Sequence, residues 1–183
     1  MTKSKFIGLL LVAAMSVCAF GKAEASNKGE KTFGIHTGYI SRNVSGDVGL
    51  FFQYAFSKNF RLQPSADLVF RHNDRDAFLV DLNAQFPIGV NDDNFSLYPF
   101  AGLNFSSWNH HYRALTEPVE TEDGIIGPFE VEKSSRTNRF GVNLGAGFDL
   151  KITSTLKVSI EATYTFVKSN SGLRVLAGIG YVF

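Results

Sequence analysis

Seven ionisable residues sit among small or polar neighbours in this chain and raise the first chemical question: Arg61, Asp67, Arg71, Asp81, Arg139, Glu161 and Arg174. Folding the chain about residues 73–76 brings Asp67 roughly opposite Asp81. Two carboxylates so placed share a proton, line an ion path, or are neutralised by cations. Four arginines in the set favour the last, an interior salt-bridge network, because buried charges persist only when paired. Asp149 and Lys157 flank the segment 151–155 and read as a cross-strand pair.

The histidines offer less. His110 and His111 are adjacent, so on a strand they point to opposite faces, and their spacing fits neither a metal site nor an HExxH helix. Either could work with Ser106 or Ser107 in hydrolysis, but no motif surrounds them. His36 and His72 read as hydrogen-bonded structural residues. We expect no catalytic residue, no metal site and no cofactor. A third group is acidic: Glu117, Glu120, Glu122, Asp123, Glu130 and Glu132 span a stretch without lysine or arginine. Ile125, Ile126, Phe129 and Val131 are interleaved with them, which suits a protruding β-ribbon. Such a ribbon can capture a partner strand along its edges, or hold a divalent cation on its carboxylates. The carboxylate spacing is not that of an EF-hand.

The elements that position these groups follow from a period of two. Eight segments alternate: 32–41, 47–56, 60–70, 78–86, 95–105, 140–150, 156–166 and 173–183. One face of each is apolar, as in Phe60, Leu62, Pro64, Ala66, Leu68 and Phe70. The other is polar or glycine, as in Gly141, Asn143, Gly145, Gly147 and Asp149. Volume decides which face is inside. An eight-stranded barrel has a lumen just wide enough for side chains to fill. The small and polar set fits there, and the many bulky apolar residues do not. The expected fold is therefore all-β: an eight-stranded antiparallel up-and-down transmembrane β-barrel with a polar, side-chain-filled lumen, its apolar face turned to lipid. Short connections at 57–59 and 151–155 belong to one end, and the long loop 109–138 to the extracellular end.

The chain ends supply the compartment. Lys3 and Lys5 precede an apolar run from Phe6 to Phe20, and Ala23-Glu24-Ala25 is a small-x-small cleavage signal. Residues 1–25 read as a signal peptide and 26–183 as the barrel domain. The single cysteine, Cys18, lies in the leader, so disulfides and thiolate metal sites are excluded from the mature chain. The 18 basic and 17 acidic residues nearly balance, leaving no basic field for nucleic acid.

The closing run Gly178-Ile179-Gly180-Tyr181-Val182-Phe183 resembles the aromatic C-terminal signature of outer-membrane barrels. With Tyr98-Pro99-Phe100-Ala101-Gly102 and the glycine-rich stretch 140–150, it makes the chain similar to the small OmpX/OmpA-like barrel family. The resemblance implies a bacterial outer-membrane location, in lipid and lipopolysaccharide. It also implies insertion by the outer-membrane assembly machinery, which would read Ala177, Ile179, Tyr181 and Phe183. The expected role is non-enzymatic: structural, adhesive or surface-interacting, through the acidic loop and an extracellular protein ligand. The rivals are a narrow ion or solute channel and, further off, a lipid A-modifying enzyme.

Overall fold

The structure is a computed structural model that describes residues 27–90, 92–115, 119–121, 124–126, 130–168 and 171–183. The leader reading of residues 1–25 lies outside them.

Eight long strands form a closed ring. They are β1 (Lys31–Ile40), β2 (Ser45–Ser57), β3 (Phe60–His72), β4 (Arg75–Gln85), β6 (Asp92–Leu115), β9 (Glu130–Lys151), β10 (Leu156–Val167) and β11 (Gly172–Val182). Neighbours in sequence pair antiparallel, β1 with β11 joins the ends, and β4 with β6 completes the circuit. Short β5 (Ile88–Val90) pairs with the start of β6. A separate two-stranded sheet, β7 (Val119–Thr121) and β8 (Gly124–Ile126), lies between β6 and β9 in the chain. Closure leaves no sheet edge at the level of the barrel, as lipid demands.

The faces are inverted relative to a water-soluble core. Phe140 is 81% exposed and Leu103 63%, while Asp47, Asp67 and Gln85 are at most 1% exposed. Aromatic rings pair on the outer face, including Tyr54 on Phe56 and Phe105 on Phe140. Such rings suit the interfacial belts of a barrel in lipid.

Two strands exceed the others. β6 has 24 residues and β9 has 22. Their ladder runs from Phe95↔Leu150 to Leu115↔Glu130, so much of the loop 109–138 is a ribbon. The register between β3 and β4 also differs from simple folding about 73–76. Asp81 faces Ser65, and Asp67 faces Leu79. The cause is a register shift between Val69 and His72, followed by a tight turn. Asn73 (φ 49°) and Asp74 (φ 57°) take the left-handed backbone that a type I′ hairpin needs.

Close strand approach explains two glycines. A Cβ at Gly147 would lie 2.6 Å from the Tyr98 ring and 2.8 Å from the Ile160 carbonyl oxygen. At Gly49 it would overlap the Asp67 carboxylate. Each glycine makes room for a neighbouring strand's inward side chain.

Candidate functional site

The inward residues form two charge clusters at different heights. Toward the end that carries the β6–β9 ribbon, Arg174 on β11 gathers three carboxylates. Its Nε donates to Asp47 Oδ2 at 2.5 Å, its Nη1 donates to Asp81 Oδ2 at 3.0 Å, and its Nη2 lies 2.6 Å from Asp67 Oδ1. His36 Nε2 pairs with Asp67, and its ring stacks on Phe51 at 5.5 Å. Asn104 and Asn143 donate to Asp81 Oδ1 at 2.6 and 2.8 Å. These residues come from β1, β2, β3, β4, β6, β9 and β11, so one cluster ties together most of the ring.

Toward the other end, Arg61 holds Asp149 at 2.5 Å, donates to Gln85 at 2.5 Å and lies over the Tyr98 ring at 4.4 Å. Lys157 donates to Gln53 and lies 3.7 Å from Asp149. That pair is diagonal, since Asp149 faces Ser159 and Lys157 faces Lys151. Glu161 accepts from Gln63 at 3.1 and 3.3 Å, from Gln85 at 3.1 Å and from the Tyr98 hydroxyl at 2.9 Å. Such neutral donors can hold a buried carboxylate in place of water. Tyr98, Phe100, Phe51 and Leu176 are also buried inside and fill the space between polar layers.

The structure therefore gathers Arg61, Asp67, Asp81, Glu161 and Arg174 in the lumen, but divides them. Arg71 and Arg139 belong elsewhere. Arg71 is half-exposed at the rim, where its Nη2 donates to Glu132 at 2.6 Å and to Asp74 at 3.1 Å. Arg139 donates to the Lys168 carbonyl beside the β10–β11 connection. Strand parity puts both on the inward face, yet both stand above the polar lumen. Sequence reasoning read His36 as a hydrogen-bonded structural residue without its partner, and left Asp47 and the trio Gln53, Gln63 and Gln85 out of the network. Parity places all of them inward, but no local pattern says which strands they bridge.

The ribbon is strapped to the β3–β4 hairpin. His111 Nε2 lies 2.5 Å from Asp76 Oδ1, and its Nδ1 lies 3.2 Å from Glu132 Oε1. The His111 amide donates to the Asp74 carbonyl at 2.8 Å, and Arg113 donates to Glu130 at 3.2 Å. Glu130 is thus paired with Arg113, and Glu132 with Arg71 and His111, all from outside the acidic stretch. Exposed pairs of this kind contribute about 0–1 kcal/mol each. Glu117, Glu122 and Asp123 lie outside the described residues, and Glu120 is placed by its backbone in β7. Among the described residues no cluster of His, Cys, Asp and Glu is suited to a metal ion.

Ala177, Ile179 and Tyr181 all face outward on β11, opposite Thr37, Ile35 and Phe33. The Phe183 amide donates to the Lys31 carbonyl at 2.9 Å, at the seam that closes the ring. Deleting Phe183 is expected to lower outer-membrane levels in cells more than it lowers the stability of barrel refolded in detergent. Immunoblots of membrane fractions, set beside urea unfolding, check this; unchanged levels would refute it.

The barrel is similar to that of several solved proteins. The N-terminal barrel of OprF from Pseudomonas aeruginosa aligns with TM-score 0.61 and 13% identity, covering 86% of this chain and 100% of that one. Neisserial surface protein A aligns with TM-score 0.60 and 12% identity, covering 84% and 97%. Ail, the attachment invasion locus protein of Yersinia pestis, aligns with TM-score 0.56 and 15% identity, covering 85% and 99%. At these identities the likeness concerns the fold alone. No curated protein sequence matches the chain. The family model of the outer membrane protein beta-barrel domain matches residues 7–183, and the chain, an eight-stranded barrel of the bacterial outer membrane, belongs to that family.

Proposed function

We propose that this barrel is a non-enzymatic surface-interaction protein whose working part is the β6–β9 ribbon. One observation carries the reading: the β6–β9 ladder continues past the barrel to Leu115↔Glu130, whereas β9 pairs with β10 only as far as Gly141. Residues 130–140 of β9 therefore have no ladder partner on their second edge among the described residues. An extended edge of that length can accept a strand from another protein through backbone hydrogen bonds. The ion pairs of Arg71, His111 and Arg113 hold the ribbon in place beforehand, which lowers the ordering cost of binding. Ail has been solved in complex with the heparin analogue sucrose octasulfate, so a barrel of this shape can carry a ligand.

The test is removal of residues 112–133 with a short turn in their place. The barrel should keep its heat-modifiable gel mobility, because lipid-facing burial and the closed ladder remain. Cells displaying the shortened protein should lose adhesion to host-cell or matrix surfaces that the intact protein supports. Equal adhesion by both forms would sink the proposal. Residues 1–25 act in the same reading as the export leader, and a mature N-terminus at Ser26 is the expected sequencing result.

The filled lumen bears on the channel reading. In planar bilayers the intact barrel is expected to show no steady conductance, because Tyr98, Phe100, Phe51 and the glutamine layer occupy the interior. A stable, salt-selective open state would overturn this.

A further inference from the structure

Above the Arg174 cluster the barrel holds a small cavity of about 40 Å³ near its extracellular mouth. Ile40, Leu79, Trp108 and Val167 make apolar walls, and all four are buried. Asn104, Ser106 and Arg174 lie lower on the lining, and Arg42 stands at the lip. A single water needs roughly 10–15 Å³ of such space. The cavity is far below the several hundred Å³ of a cofactor pocket. It suits the end of one compact apolar group.

The layer directly above these walls is cationic. Inward side chains recur every second residue, about 7 Å apart along a strand. Arg75 lies two residues above Ala77, His110 two above Trp108, and Arg139 two above Gly141. Arg75 and His110 are direct cross-strand partners. Burial lowers the proton affinity of His110, and the charges of Arg75 and Arg139 lower it further, so three basic groups share one neighbourhood. Arg139 donates to the Lys168 carbonyl and Arg42 to the Ser171 carbonyl at 3.1 Å, which anchors both at the β10–β11 side of the mouth. The acidic groups of this end, Asp74, Asp76 and Glu132, are instead engaged by Arg71 and His111.

We propose that the mouth binds a small amphipathic anion: a short alkyl phosphate or sulfate. Its apolar group enters the cavity beside Trp108, and its anionic group rests on Arg75, Arg139 and Arg42. The orientation follows from the charges below. Arg174 reaches the floor, but Asp47, Asp67 and Asp81 pair with it and outnumber it, so an anion is held at the lip and not drawn into the lumen. The site needs no unpaired ribbon edge and stands independently of the adhesive reading.

Trp108 is the only tryptophan in the chain, so its fluorescence reports on the cavity directly. The experiment titrates the barrel in lipid nanodiscs with ethyl phosphate, beside ethanol and inorganic phosphate. A saturable change in Trp108 emission is expected with ethyl phosphate, and it should weaken as salt rises. Affinity should fall about tenfold or more in the double variant Arg75→Gln, Arg139→Gln, since two charge-assisted contacts are lost. Heat-modifiable mobility of that variant confirms that it remains folded. No saturable change, equal binding of ethanol, or undiminished binding by a folded double variant would each overturn the proposal.

Discussion

Replacing Arg174 with leucine should destabilise the barrel by about 3–5 kcal/mol, the usual cost of removing one partner from a buried ion network. The guanidinium is the shared counter-charge of Asp47, Asp67 and Asp81, which are all at most 4% exposed. Without it, three carboxylates lie close together with only the His36 imidazole beside Asp67. Leucine fills part of the volume but supplies no donor. The measurement is urea unfolding of barrel folded into lipid vesicles, followed by the shift between heat-modified and folded gel bands. A second variant separates charge from packing. Arg174→Leu combined with Asp47→Asn, Asp67→Asn and Asp81→Asn should recover much of the loss, because a neutral layer needs no counter-charge. Wild-type stability for the single variant would show that the cluster is not held by this arginine.

Gly49→Val should be the most damaging substitution at a position without a side chain. A Cβ there would overlap Asp67 Oδ1 and lie 2.6 Å from both the Ala66 carbonyl oxygen and His36 Nε2. The Ala66 oxygen is backbone on the paired strand β3 and cannot swing aside. Overpacking of this kind costs about 1–3 kcal/mol before any lost polar contact is counted. Here the His36–Asp67 pair must also separate, so the folded fraction after refolding should drop sharply. Adding His36→Ala should relieve only part of the defect, since the clash with the β3 backbone stays. Full rescue by His36→Ala would place the strain in the imidazole and not between the strands.

The alternation of apolar and polar residues was enough to read the eight strands, their two faces and the lipid-facing exterior. That information is local, because the pleat alone sends successive side chains to opposite sides. The volume of a narrow lumen then decides which face turns in. A protruding ribbon was expected from the apolar residues between the acids of 117–132, but the extension of β6 and β9 lies mostly outside that stretch: Val131 is on its ladder, whereas Ile125 and Ile126 belong to the separate β7–β8 sheet.

Depth and partnership were not legible. Parity sends Arg71 and Arg139 inward but does not give their height, and both emerge above the polar lumen. Asp67 and Asp81 do not face each other, because a register shift near Val69 slides one strand past the other. They meet instead through Arg174, which lies 93 residues from Asp81 in the chain. Only closure of β1 on β11 and of β4 on β6 sets the stagger that brings such residues to one level. The same closure converges Ile40, Leu79, Trp108 and Val167 from four strands into one cavity wall. Which side of a strand a residue occupies is a property of the strand, whereas what it touches across a barrel depends on the shear of the whole ring.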